Sequence, residues 1–153
     1  MTKASFNLVL NSIVASTYTG NRSNPTFNVD WKTLIREEDY NKRYHIRFRM
    51  KTANDTNVND QENYRVELYI AGKVFNQSNL QRDFTLGMLS RVNEDMTDAT
   101  RLAIDTKPYD NPPITIEGLP HTSSLQLKFI INSTGLEYTA IPNYVFILNF
   151  EEI

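Results

Sequence analysis

From residue 5 onward, apolar residues recur at alternate positions in one short stretch after another, the period of a strand with one dry face and one wet face. Ser5–Asn11 sets Phe6, Leu8 and Leu10 on one side. Residues 26–31 do the same with Phe27, Val29 and Trp31, and Asp30 is placed to cap a short helical turn through Leu34 and Ile35. The cleanest alternation is residues 44–51, where Tyr44, Ile46, Phe48 and Met50 face inward and His45, Arg47, Arg49 and Lys51 form a basic outer row. Tyr64–Ile70 repeats the pattern with Val66 and Leu68 inward. Residues 84–89 read as a weaker strand, because the interior Gly87 marks a bulge. Residues 93–104 allow either a short helix behind an Asn93 cap or plain loop. A strand is expected at residues 102–106 or at Ile114–Glu117, the two sharing one slot, with Pro108, Pro112 and Pro113 interrupting. Residues 124–131 alternate again, with Leu125, Leu127, Phe129 and Ile131 inward.

The last stretch, residues 143–150, differs from all of these. Tyr144, Phe146, Leu148 and Phe150 fall on one face, yet Val145 and Ile147 make the other face apolar too. Such a strand belongs inside a sheet, with the core on one side and a covering layer or another subunit on the other. Many short strands joined by Pro- and Asn-rich turns, with no βαβ alternation and no internal repeat, predict one all-β domain over residues 1–153, an eight-stranded antiparallel β-sandwich. Among sandwiches, eight strands fit a single jelly roll, whose last strand lies between the first and the third.

Composition narrows the chemistry. The 153-residue chain can bury about two-thirds of its unfolded surface, so it needs no staple. With no cysteine there is no disulfide framework, no cysteine metal site and no thiol nucleophile. No long apolar run follows a basic start, so neither a signal peptide nor a membrane-spanning helix is expected. The Asn-X-Ser/Thr triplets at Asn21, Asn54, Asn76 and Asn132 are what this Asn, Ser and Thr content produces by chance. A net charge of −2 argues against generic nucleic-acid binding.

No catalytic constellation emerges. The two histidines, His45 and His121, fall on a strand face and in a turn, and the five glycines are scattered singly, so no triad and no phosphate loop is expected. Asp55, Asn57 and Asn59 imitate the start of a calcium loop, but Asp60 stands where the turn glycine belongs and Val66 where the bidentate glutamate belongs. Carboxylate pairs such as Glu37/Glu38 and Asp95/Asp98 read as solvated charges. No cofactor and no metal is expected, and the chain reads as a non-enzyme.

The basic row is the one polar feature that stands out. On a solvated strand it would simply face acidic neighbours. In a jelly roll, however, its strand lies beside the last one, so His45, Arg47, Arg49 and Lys51 would flank the apolar Val145 and Ile147 with no carboxylate from either strand. That combination describes a docking face for a protein with an acidic rim. Arginine suits it, because its planar fork can hold a carboxylate through two hydrogen bonds.

The opening pattern, Phe6-Asn-Leu-Val-Leu-Asn-Ser12, a polar loop, Phe27-Asn-Val-Asp-Trp31 and then Tyr44-His-Ile-Arg-Phe48, resembles the small capsid proteins of nucleocytoplasmic large DNA viruses. The likeness covers about the first third of the chain. It implies a single jelly roll in an icosahedral virion shell, made in the host cytoplasm. There it would serve as a minor capsid protein bound to major capsid protein, to other minor capsid proteins and to itself, or as the penton at the vertices. Pentons often carry an added outer domain or tail, whereas this sequence stops at its last strand, so the minor capsid role is the expectation. Two competing readings are a sugar- or receptor-binding sandwich, using Tyr18, Tyr40, Tyr109 and Tyr138 in predicted loops, and a cupin-type enzyme, which would need a histidine cluster that the chain lacks.

Overall fold

The computed structural model describes residues 3–14, 16, 18–55, 58, 62–70, 76–78, 81–93, 101–119 and 123–153. His121, the Asp95/Asp98 pair, Met96 and Ala99 of the helix candidate, and Asn57, Asn59 and Asp60 of the calcium-like loop lie outside them. The elements in chain order are β1 (Ser5–Asn11), β2 (Tyr18–Thr19), β3 (Thr26–Val29), α1 (Trp31–Leu34), a 3-10 turn (Glu37–Asp39), β4 (Arg43–Thr52), β5 (Tyr64–Ile70), β6 (Asn76–Ser78), β7 (Gln81–Asp83), β8 (Thr85–Met88), β9 (Arg91–Val92), β10 (Ala103–Thr106), β11 (Ile114–Glu117), β12 (Ser123–Ile131) and β13 (Tyr144–Glu152). Among the described residues there are thirteen strand segments against the eight expected: β2, β6, β7 and β9 are two or three residues long and carry too little sequence to show a period, and the one slot expected after residue 100 holds both β10 and β11.

The segments form two antiparallel sheets, an all-β sandwich. One runs β1-β13-β4-β10-β9, with β11 also on β4; the other runs β2-β3-β12-β5-β8; β6 and β7 pair as a separate ribbon. Both strand candidates after residue 100 therefore exist, and they share one lane along β4: Thr106 faces Met50, and further down Ile114 faces Ile46. Proline cannot donate to a ladder, so the lane breaks at Pro108, Pro112 and Pro113. Ala103 and Ile104, which the helix candidate included, sit in β10 instead.

The inner faces interlock through aromatic rings. Phe129 of β12 meets Tyr144 and Phe146 of β13 edge-on, at 5.2 and 6.5 Å between ring centres, and thereby joins the two sheets. Phe48 stacks on Phe146 at 5.2 Å, and Phe6 on Phe150 at 4.7 Å. Leu10, Phe27, Trp31, Tyr44, Ile46, Met50, Val66, Leu68, Leu127 and Leu148 are buried as expected, while Phe6, Leu8 and Val29 pack on this core but remain half-buried. The short helix begins as anticipated: the Asp30 carboxylate accepts from the Lys32 N–H at 3.2 Å, and Trp31 turns inward against Phe6 and Phe150. Gly87 marks the irregularity predicted for it, since the pairing of β8 with β5 shifts between Val66 and Glu67. A Cβ at residue 87 would lie 2.7 Å from Phe48, so only glycine admits this close approach.

One polar cluster fixes the end of β13. The Glu152 carboxylate accepts from the Ala4 N–H at 2.7 Å and lies 3.4 Å from the Lys42 ammonium, which also contacts the buried Asp39 at 2.6 Å. Arg36 holds Asp39 from the other side at 3.2 Å. Lys42 above all, with help from Arg36 and against burial, keeps the Asp39 carboxyl below its ordinary value of 3.8. The Ala4 N–H does the same for Glu152, whose ordinary value is 4.5. A carboxyl held low stabilises the fold fully above its unfolded value and loses that contribution as the pH falls through the lower, folded one. Asp39→Asn is therefore expected to lower the melting temperature at neutral pH, with the gap from the unsubstituted protein closing as the pH drops below 3.8 and through the lowered value of the folded state. Circular dichroism melts from neutral pH down into the acid range measure it.

Candidate functional site

The outer face of the first sheet is built by the odd-numbered residues of three adjacent strands. The registers of β13 with β1 and with β4 line them up in rows: Val9, Ile147 and Arg49; Asn11, Val145 and Lys51; Asn7, Asn149 and Arg47; Ser5, Glu151 and His45. Pairing across three strands, rather than any local property, brings Val145 and Ile147 beside the basic row.

The structure adds apolar surface that alternation did not single out. Val9 is 60% exposed and Ile13 is 65% exposed, and together with the half-buried Val145 and Ile147 they make a continuous apolar strip. Val9 was legible as the outward residue of β1; Ile13, just past the strand, had no signal. Ile13, Val145, Ile147, Arg49 and Lys51 line a shallow depression of about 700 Å³. A second depression of about 310 Å³, lined by Arg47, Tyr109 and Asn149 among others, shares Arg49 and Ile147 with it.

The basic row is less uniform than its sequence implied, and the expectation that neither of its two strands brings a carboxylate to it needs correction. β13 continues to Glu152, two residues past the predicted end, which puts Glu151 on the outer face directly opposite His45. Asp105 of β10 lies 3.8 Å from the Lys51 ammonium. Carboxylates therefore flank both ends of the row. Arg47 is engaged as well: its guanidinium lies 4.5 Å over the Tyr109 ring, and it donates to the Pro108 carbonyl at 3.4 Å. Arg49, at the centre, has no hydrogen-bond or ion-pair partner among the described residues.

The proline break positions Tyr109. Residues 107–113 leave the ladder in a turn closed by the Lys107 N–H donating to the Asp110 carboxylate at 2.8 Å, and are tied back at two points: the Ser90 hydroxyl donates to the Asp110 carboxylate at 3.2 Å, and the Asn111 side chain exchanges two 2.9 Å hydrogen bonds with the Met88 backbone. Tyr109 is left 81% exposed beside Arg47. The other tyrosines considered for ligand stacking are not available as a group. Tyr40 and Tyr138 are buried, Tyr138 stacking on Tyr64 at 4.5 Å, and Tyr18 is half-buried against Phe27. Among the described residues, no group of three His, Cys, Asp or Glu side chains could hold a metal ion, and no helix is long and apolar enough to cross a membrane.

The site is thus an apolar strip, flanked on one side by a free guanidinium, with polar amides from Asn7 and Asn149 joined to each other at 2.9 Å. Its chemistry is that of non-covalent recognition: burial of the strip, and a fork-shaped donor for an acidic group. Compared with known protein families, with curated proteins and with solved structures, the chain matches none.

Adjacent residues of β13 should respond oppositely to substitution. Val145→Asp is expected to change the unfolding free energy by less than about 1 kcal/mol, whereas Phe146→Ala, which empties the junction between the sheets, should cost about 3–5 kcal/mol. Urea denaturation of the two variants tests this assignment of faces.

Proposed function

We propose that the chain is a structural subunit of an icosahedral virus shell, a single jelly roll acting as a minor capsid protein that docks other capsid proteins in the virion. The observation that carries this reading is the apolar strip of Val9, Ile13, Val145 and Ile147 beside Arg49 on the outer face of the first sheet. Supporting the jelly-roll reading is the strand order: β1-β13-β4 followed by the β10/β11 lane, over β3-β12-β5-β8, with the last strand between the first strand and β4. The likeness of residues 6–48 to small capsid proteins of large DNA viruses supplies the shell; the geometry supplies a face to attach by. The strip gives affinity through burial, and Arg49 selects partners that present an acidic group and speeds their approach.

The test is binding to purified shell proteins, together with mass spectrometry of virions. The chain should be found in virions and should bind major capsid protein or another minor capsid protein; stoichiometric recovery at the vertices instead would make it the penton. Val145→Asp should weaken binding at least about tenfold with the fold intact, and Arg49→Glu should slow association and reverse its salt dependence. Absence from virions, together with no binding to any shell protein, would refute the proposal.

A further inference from the structure

The edges of the two sheets are not alike. An edge strand offers unpaired backbone donors and acceptors, and folded proteins blunt such edges with short strands, charges, prolines or bulges. β2 is two residues long, and β9 is two residues long and begins with Arg91. The partnering of β8 with β5 is broken by a register shift, and β11 follows Pro112 and Pro113 and ends on Glu117. β1 has none of these devices. It runs for seven residues without a charge or a proline, in unbroken register with β13 from Ser5 to Asn11.

The ladder tells which groups of β1 are free. The Glu152 N–H donates to the Ala4 carbonyl at 2.8 Å, and the Ser12 N–H donates to the Tyr144 carbonyl at 3.1 Å. Because bonded pairs alternate in an antiparallel ladder, the even residues of β1 bond β13, and the amides and carbonyls of Ser5, Asn7 and Val9 point away from it. Among the described residues nothing takes up those backbone groups. Residues 32–36 line an open groove of about 360 Å³ with residues 4–6 rather than pairing with them.

We propose that β1 is a homotypic pairing edge: a second copy of the chain adds its own β1 antiparallel, with Leu8 facing Leu8 of the second copy. In that register the inner face sets Phe6 against Leu10, so apolar residues meet across the seam, and the outer face sets Asn7 against Val9 and Ser5 against Asn11, all of them uncharged. Two copies bring no like charges together, since Ser5–Asn11 has no charged residue. Phe6 and Leu8, which face inward yet stay half-buried, gain cover at the seam. The arrangement is an isologous two-fold, and it makes the apolar strips of the two outer faces contiguous. It rests on the edge alone, so it stands or falls separately from the shell reading.

Sedimentation of the full chain over a range of concentrations, combined with amide hydrogen exchange, tests it. A monomer–dimer equilibrium is expected, with the Asn7 and Val9 amides gaining at least about tenfold protection in the dimer. Asn7→Pro removes an outward N–H that the monomer does not use, and should raise the dimer Kd at least about tenfold with native circular dichroism. Val9→Lys places charge on the seam, should act in the same direction, and decides the matter if the proline variant does not fold. A protein that stays monomeric to about 1 mM, a dimer in which these amides stay unprotected, or a Kd unmoved by a folded variant would overturn the proposal.

Discussion

The structure depends on β13 being hydrogen-bonded on both sides at once, to β1 and to β4. Side chains alternate across a sheet, so one register decides two surfaces. With Phe146 opposite Met50 and Leu10, the four large residues of β13 enter the core, and Val145, Ile147, Asn149 and Glu151 take the outside. A slip by one residue would put Phe146 and Phe150 into water and valine and isoleucine into the space the aromatic rings fill. The ring contacts with Phe129, Phe48 and Phe6 make that exchange too costly, so the packing that stabilises the sandwich also fixes which residues form the outer face.

On that face the basic side chains have different roles despite their even spacing. His45 sits beside Glu151, Arg47 lies over Tyr109, and Lys51 has Asp105 within reach. Arg47 and Lys51 thus have contacts within the chain, whereas Arg49 beside Ile147 has no hydrogen-bond or ion-pair partner among the described residues. Exposed ion pairs of the Lys51 kind contribute little to stability. Their effect here is to reduce the electrostatic pull of the row and leave it concentrated at one residue.

Much of this was legible in residue order. β4, β5 and β13 have long, regular alternation, and their inward residues are those buried; β12 follows the same rule through Phe129, but Ile131, expected inward, is half-buried while Ile130 is buried. The Asp30 cap, the irregularity at Gly87 and the shared lane of β10 and β11 also follow from local signals. What was hidden depends on contacts between distant segments. Tyr40 and Tyr138 look like loop tyrosines until Tyr64 stacks on one and the core closes over the other. Glu151 lies past the apolar run, and only the ladder with β4 shows that the strand continues to include it. Nor does any periodicity place Tyr109 over Arg47, since that contact follows from a loop tethered through Asp110 to Ser90 and through Asn111 to Met88.

The first and last strands are neighbours in space but far apart along the chain: Ser12 and Tyr144, which bond each other, are separated by 132 residues. Closing so large a loop is entropically costly and returns nothing until the pairing forms. During synthesis β1 and β4 therefore leave the ribosome long before the strand that joins them exists. For that interval both hold open edges with apolar faces, the condition in which nascent chains stick to one another and recruit chaperones. Release of the C-terminal segment then becomes the event that commits the polypeptide to its native sheet.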